Sequence, residues 1–371
     1  MRSEPLYKTR IISVDFFRGL TVAFMLLVNN PGEWGHIYSF LRHAPWHGIL
    51  GADFVFPFFL FLVGVSVRIA LGKKGNSFST YRKILWRSIL LFLCGLFLNG
   101  FWQFDFASIR IPGVLQRIAF VYCIVACFYL RFSLRSLMLC LISIIIAYWL
   151  VLTFLPVPGT NYTGYEVNKN YSAYADRLFL SGHMWKYTKT YDPEGILSSF
   201  SALASGFLGV WFAELLLYRR KSGMTLSFFC CIQIIIALLW SYSYPINKNL
   251  WTGSYILWNS GIAGLILCFF HKKLPEILVY RLSPILYLGK HALIVFFISS
   301  LFAKLMTTIK FSCSGKLQVL KSCIYKEYFR ANINTPELAS MLYGVCYLLV
   351  WTGVIFVYAR IHERKVIQNN I

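Results

Sequence analysis

The chain has little charge, and least of all negative charge: 13% of its 371 residues are charged and only 14 are Asp or Glu. Soluble domains carry roughly one-quarter charged residues, so a soluble enzyme and a solvated, disordered tail are both excluded. Its ten cysteines contain no Cys-x-x-Cys pair. Eight of them (Cys94, Cys123, Cys127, Cys140, Cys230, Cys231, Cys268, Cys346) fall inside apolar runs, where they read as small buried hydrophobes rather than a disulfide framework. The apolar runs do not alternate with polar residues, which excludes a membrane β-barrel. No internal repeat, linker or second domain breaks the pattern.

What is present is hydrophobic length. Hydrophobic residues make up 58% of the chain and aromatics 18%, and mean hydropathy is +0.61. About ten runs are each long enough to cross ~30 Å of hydrocarbon. They fall near 12–30, 52–71, 84–101, 111–130, 136–155, 195–217, 224–243, 251–270, 283–303 and 338–359. The expected fold is an all-α polytopic membrane protein, one transmembrane domain over 1–371 with outer connections near 31–51, 156–194 and 304–337. Asp15 and Arg18 interrupt the first run and no small-residue cleavage site follows, so it reads as a retained span rather than a signal peptide.

The 36 Lys and Arg residues give a net charge of +22. Basic residues at span ends set topology and meet anionic headgroups, and no basic stripe interleaved with aromatics stands clear of the spans, so no nucleic-acid partner is expected. Arg2, Lys8, Arg10, Arg82, Lys83, Arg87, Arg131, Arg135, Arg219 and Lys221 all fall on one side. That bias points to cytoplasmic termini.

Two outer connections have patterns of their own. Leu317, Leu320, Ile324 and Tyr328 recur at helical spacing, with Lys316, Lys321, Lys326 and Arg330 elsewhere on the wheel, so a short surface helix is expected. Cys313 and Cys323 share this polar segment, and an oxidising compartment would let them bridge. Thr335-Pro336-Glu337 reads as the start of the last span. The connection 156–194 carries sequons at Asn161 and Asn170 and ends in Asp192-Pro193-Glu194, another helix start.

Polar residues inside the bilayer mark function. Arg18 and Asn29 differ by only about 20° around a helix, with Asp15 within about 60° of both, so the three share a stripe. Asp15 and Arg18 are spaced to pair at i,i+3. Beyond this span come Arg42-His43-Ala44-Pro45-Trp46-His47 and then Asp53. His43 and His47 lack further ligands at metal-site spacing, so no metal is expected, whereas a neutral imidazole suits a general base or nucleophile. Gln116 and Arg117 sit about 9 Å into the fourth span, and Lys290 and His291 about 10 Å into the ninth. Glu194 opens the sixth span, and Asn247-Lys248-Asn249 precedes the eighth. Together they describe a polar cavity. The Ser198, Ser199, Ser201, Ser205, Gly206 and Gly209 cluster reads as close helix packing.

Ser13-Val-Asp-Phe-Phe-Arg-Gly-Leu20, Val28-Asn-Asn-Pro-Gly32, His43-Ala-Pro-Trp46 and Ala52-Asp-Phe-Val-Phe-Pro57 resemble the heparan-α-glucosaminide N-acetyltransferase family. So do Ile111-Pro-Gly-Val-Leu-Gln-Arg117, Tyr191-Asp-Pro-Glu-Gly195 and Asn247-Lys-Asn-Leu-Trp251. The resemblance implies acetyl transfer from cytosolic acetyl-CoA to the amine of a glucosamine-type sugar across the membrane. It implies His43 as the functional histidine and Asn29 as its support. His47 stands where the animal enzymes carry asparagine, so both imidazoles remain candidates, His43 first. The animal enzymes have an extra luminal N-terminal region and span, so this chain resembles the shorter bacterial branch and is expected in the bacterial inner membrane.

Beside the two catalytic candidates, Arg18, Asp15, Arg117 and Lys290 are candidates for holding acetyl-CoA. Trp46, His47, Asp53, Glu194, Asn247 and Lys248 are candidates for the acceptor. The lipid bilayer is the medium and a homodimer the assembly considered. The rival reading is an amino-sugar permease, whose kind usually shows repeated halves and paired broken spans.

Overall fold

The computed structural model describes residues 11–72, 74–219, 221–273, 283–313 and 315–368, with side chains up to Lys272 and His362 in the helices ending at 273 and 368. Arg2, Lys8 and Arg10 lie outside the described residues. The first helices are α1 (Ile12–Asn29), α2 (Val55–Leu71), α3 (Phe78–Gly100), α4 (Val114–Arg131) and α5 (Leu134–Phe154). Then come α6 (Tyr171–Leu180), α7 (Ile196–Ala213, continued by a π-turn Glu214–Tyr218), α8 (Gly223–Trp240) and α9 (Gly253–Lys273). The rest is α10 (Ser283–Lys290), α11 (Ala292–Thr308), a hairpin of β1 (Lys310–Cys313) and β2 (Lys316–Val319), α12 (Leu320–Ile324, continued by a π-turn to Arg330) and α13 (Pro336–Gln368).

Nine helices among the described residues are long and apolar enough to cross a membrane, or ten when α10 and α11 count as one bent span. The chain is an integral, polytopic all-α membrane protein. Local chemistry starts several helices. Ser77, Ser133, Asn170 and Ser222 each accept a backbone N–H from the first turn they cap, on α3, α5, α6 and α8, satisfying a donor that has no partner within the helix. Asn170 is fully buried in that role, which removes its sequon from the surface.

The residues group into two compact units: Met1–Arg42, Leu50–Val55 and Phe269–Ile371 form the smaller, and His43–Ile49 and Phe56–Cys268 the larger. In the smaller unit α1 and α10 touch backbone to backbone. A Cβ on Gly289 would overlap the Asp15 carbonyl oxygen, and one on Gly19 would overlap that of Ile285. In the larger unit Gly209 meets the Phe61 carbonyl in the same way. Small residues at crossings are what helix packing in lipid requires.

Three expectations are corrected here. The ninth span is not one straight run: it bends by 87° at His291, leaving Lys290 and His291 at the corner. The segment after α11 is not helical throughout. Residues 310–319 pair as an antiparallel hairpin, turned at Gly315 with φ 74°, so Leu317 and Lys316 lie on a strand and helix begins only at Leu320. Local helical spacing lost there to a glycine in the left-handed region. Finally α4 starts at Val114, so Gln116 and Arg117 occupy its first turn rather than a deep position. Cys313 and Cys323 do form a disulfide, Cα atoms 6.0 Å apart, and Pro336 does open the last helix.

Gly289→Ala should lower the thermal midpoint of the purified chain, at a cost of about 1–3 kcal/mol for overpacking. Gly353→Ala, with no atom within 4 Å of its added Cβ, should leave it unchanged or raise it. Equal midpoints for the two variants would refute the backbone contact.

Candidate functional site

At one end of the larger unit, four connections come together: 43–49, 101–113, 155–195 and 241–252. The first carries both candidate histidines. Gly48 N donates to the Ile246 carbonyl at 2.8 Å, the Asn247 amide lies 3.3 Å from His47 Nδ1, and Trp46 Nε1 donates to the Tyr165 carbonyl at 2.7 Å. The Trp46 ring also stands edge-on to Tyr191 with centroids 5.2 Å apart. Four contacts along three residues, Trp46 to Gly48, hold a segment that has no regular structure.

Asn247 can brace this segment because it is itself fully buried and committed. Its Oδ1 accepts from Leu250 N at 2.9 Å and its own N–H donates to Thr252 Oγ1 at 3.1 Å. Next to it Trp251 adopts φ 53°, uncommon for a bulky residue and maintained only where contacts over-determine it. They do so here: Trp251 Nε1 donates to Ser205 Oγ, its carbonyl accepts from Ser201, and Phe56 and Tyr255 pack edge-on against its ring.

Lys248 Nζ lies 3.0 Å from Nδ1 and 3.4 Å from Nε2 of His43. The two distances together place the ammonium against the face of the imidazole, between its nitrogens, with neither in-plane lone pair directed at it. His43 stays exposed on its other side. His47 is also exposed, and desolvation of its inner edge lowers its imidazole below the ordinary value, favouring the neutral ring.

Beneath the histidines is a cluster of buried charge. Arg110 donates from Nε and Nη2 to both oxygens of Asp192, at 2.9 and 2.6 Å, and from Nη2 to Glu194. Asp192 also accepts from Trp185 N and Glu194 N, each at 2.9 Å. Asp176 of α6 receives Asp192 N at 3.0 Å and Ile196 N at 2.9 Å. The start of α7 is therefore met by Asp176 and not, as its sequence suggested, by Asp192 or Glu194.

Arg117 is fully buried. It donates to Ser199 and Ser198 Oγ at 3.1 and 2.5 Å and to the Pro193 carbonyl at 3.0 Å, with its guanidinium 4.9 Å from the Trp251 ring centre. Among the described residues its Nη1 has no hydrogen-bond partner. Thus the serine cluster of α7 holds Arg117 and Trp251 as well as packing helices.

The electrostatics follow. Burial alone would raise the Glu194 carboxyl, but Arg110, Arg117 and Lys248 outweigh it and hold it below the usual carboxylate range. Burial likewise opposes the charge on Arg110, yet Glu194 and Asp192 raise its pKa. Asp176, facing the neighbouring Asp192 charge, is pushed up to about 6, chiefly by burial. Because Lys248 acts on both Glu194 and His43, the carboxylates and the imidazole belong to one electrostatic group.

Of the expected acceptor residues, Trp46, His47, Glu194, Asn247 and Lys248 come together here with His43. Arg110 and Asp176 were not anticipated. Arg110 stood just before the Ile111-Pro-Gly motif, but a loop arginine signals nothing until its partners are known. Arg117 is at this same end.

The remaining candidates belong to the smaller unit. Asp53 is buried and accepts Leu50 N at 3.0 Å, capping the turn Gly51–Phe54. Arg18 pairs with Asp15 at 2.9 Å, as its spacing implied, and donates to the Gly289 carbonyl at 3.3 Å. Lys290 lies over the Tyr287 ring at 4.9 Å. Asn29 is exposed as the last residue of α1, and Asn30 donates back to the Leu26 carbonyl.

The fold and this site define a polytopic membrane protein with a histidine set over buried, paired carboxylates. Comparison with known proteins identifies the group more narrowly. Residues 10–174 match the family profile described as heparan-alpha-glucosaminide N-acetyltransferase, catalytic. The human heparan-alpha-glucosaminide N-acetyltransferase is 32% identical over 348 residues, covering 77% of this chain and 52% of that protein. The mouse protein of the same name is 30% identical over 352 residues, covering 77% and 53%. The chain belongs to the heparan-α-glucosaminide N-acetyltransferase family, and it spans about half the length of these relatives.

Arg110→Ala should destabilise the protein by on the order of 3 kcal/mol, because it leaves two buried carboxylates without their shared cation. Arg110→Lys should recover part of that loss. Thermal denaturation of the two variants checks this, and a neutral alanine variant would show that the cluster carries no such strain.

Proposed function

We propose that the chain is a membrane-embedded acetyltransferase, acting as one transmembrane domain. It moves an acetyl group from cytosolic acetyl-CoA to the amine of a glucosamine-type sugar on the outer face of the plasma membrane, its termini in the cytoplasm. The observation that carries this reading is the His43 imidazole with an amine nitrogen held 3.0 Å from its ring, in a chain whose relatives are named as N-acetyltransferases.

Acetyl-CoA would supply an activated acyl thioester, and its phosphates need fixed cations. Arg18 and Lys290 suit them: Arg18 bonds the carbonyl of Gly289, the residue before Lys290, so the two cations are close in the fold. Arg117 is buried at the acceptor end on Ser198, Ser199 and the Pro193 carbonyl and braces that end rather than the phosphates. At the acceptor end, His43 takes a proton from the sugar ammonium or takes the acetyl group itself. Glu194, held ionised, attracts the cationic amine. Trp46 offers the sugar an aromatic face, while His47 and Asn247 hold the surrounding backbone. Asn29, by the resemblance alone, donates to the developing oxyanion.

A second reading has one observation in its favour: α10 and α11 form a broken span with Lys290 and His291 at the break, a transporter-like feature. Sealed vesicles with labelled acetyl-CoA inside and glucosamine outside separate the two. Acetylated sugar appearing outside supports the transferase, and unmodified sugar accumulating inside supports the permease. In this assay His43→Ala should abolish transfer and His47→Ala should reduce it far less. The reverse order would move the chemistry to His47.

Arg18→Gln should chiefly raise the KM for acetyl-CoA. Asn29→Ala should chiefly lower kcat, since an oxyanion donor acts mostly in the transition state and contributes about 3–4 kcal/mol. Steady-state kinetics on folded variants test both. An unchanged KM in Arg18→Gln together with a raised KM in Asn29→Ala would overturn these roles.

A further inference from the structure

An acetyltransferase that keeps a lysine amine against its own base carries a built-in rival to its substrate. Lys248 Nζ touches both nitrogens of His43, at 3.0 and 3.4 Å, and its ammonium is the same kind of group as the protonated amine of an amino sugar. A base within reach of one amine is within reach of the other once its ring turns a lone pair toward it. We propose that Lys248 is a self-acetylation site, modified through His43 when no sugar amine occupies the site. This rests on the acetyltransferase reading above.

The step balances simply. The His43 imidazole turns a ring lone pair toward Nζ, removes one proton from the Lys248 ammonium and passes it to water. The neutral Nζ forms a C–N bond with the acyl carbon while the thioester C–S bond breaks. The second amine proton ends on the departing thiol. One amide, one thiol and one proton result, with the acyl thioester as the only co-reactant.

Two features keep this reaction slower than transfer to the sugar. A lysine ammonium holds its proton to about pH 10.4, whereas amines next to electron-withdrawing groups release theirs near 8. The interaction between Lys248 and Glu194 is mutual and favours the charged lysine further. Lys248 therefore serves mainly as a hydrogen-bond donor and only slowly as a nucleophile. Its acetylation would remove a positive charge, taking from Glu194 one of its three cations and from His43 its ammonium partner. Acetyl donor in excess over sugar would thus silence the site gradually.

The test uses the unaltered full chain in lipid nanodiscs with deuterated acetyl-CoA, read by peptide mass spectrometry. Lys248 should gain label at least about tenfold faster than the exposed Lys186 and Lys326, since general-base catalysis contributes ~10²–10⁴-fold. The rate should climb from pH 7 to 9, and saturating glucosamine should suppress it. His43→Ala should bring Lys248 down to the rate of the exposed lysines. If Lys248 labels no faster than those lysines, or ignores glucosamine, in protein that still acetylates glucosamine, the proposal is overturned and the transferase reading stands. If neither glucosamine nor Lys248 is acetylated, both are overturned.

Discussion

A carboxylate taken out of water must be accompanied by a cation or by enough hydrogen-bond donors to replace its hydration. In the larger unit that requirement organises everything at the loop end. Arg110, from the α3–α4 connection, serves Asp192 and Glu194 together, 82 and 84 residues away in sequence. Asp192, on the same two oxygens, and Asp176, on both of its own, also accept backbone N–H groups of the α5–α7 connection and the start of α7. A long irregular segment thereby gains the hydrogen bonds that a helix would make internally. Arg117 adds a second guanidinium from α4, satisfied by serines of α7.

The histidine segment depends on that base. Asn247 and Trp251 hold the α8–α9 connection rigid, one through its amide and the other through an unusual backbone angle fixed by a serine, an arginine and two aromatic rings. His43 is thus presented by a loop yet positioned by buried groups. Its ring meets a lysine that also answers to Glu194, so the charge state of the cluster reaches the imidazole. The arrangement is electrostatic as much as steric, and removing one member alters the field felt by the others.

The smaller unit meets a different constraint. Its helices α1 and α10 approach until backbone touches backbone, which only glycine permits. The same contact lets Arg18 reach the Gly289 carbonyl. An 87° break directly after Lys290 then leaves a cation at a corner. Irregular backbone at such a place is tolerated only where protein or water supplies partners.

Much of this was legible beforehand. Span number and position, the Asp15–Arg18 pair, the start of the last helix at Pro336 and the Cys313–Cys323 bridge all depend on residues near one another in sequence. Hydrocarbon thickness, helical periodicity and end-capping act along the chain, so composition and spacing determined them. The sequence also marked His43, Lys248 and Glu194 as polar residues needing an explanation. Only the tertiary structure decided which met which: Lys248 on His43 across 205 residues, Arg110 on two carboxylates at once, and Asp176 in place of Asp192 at the head of α7. Local rules failed at the hairpin and at the broken span too, where a left-handed glycine and a corner between packed helices overrode periodicity. Partner choice among distant charges follows from how helices dock, and no residue's own neighbours in the chain contain that information.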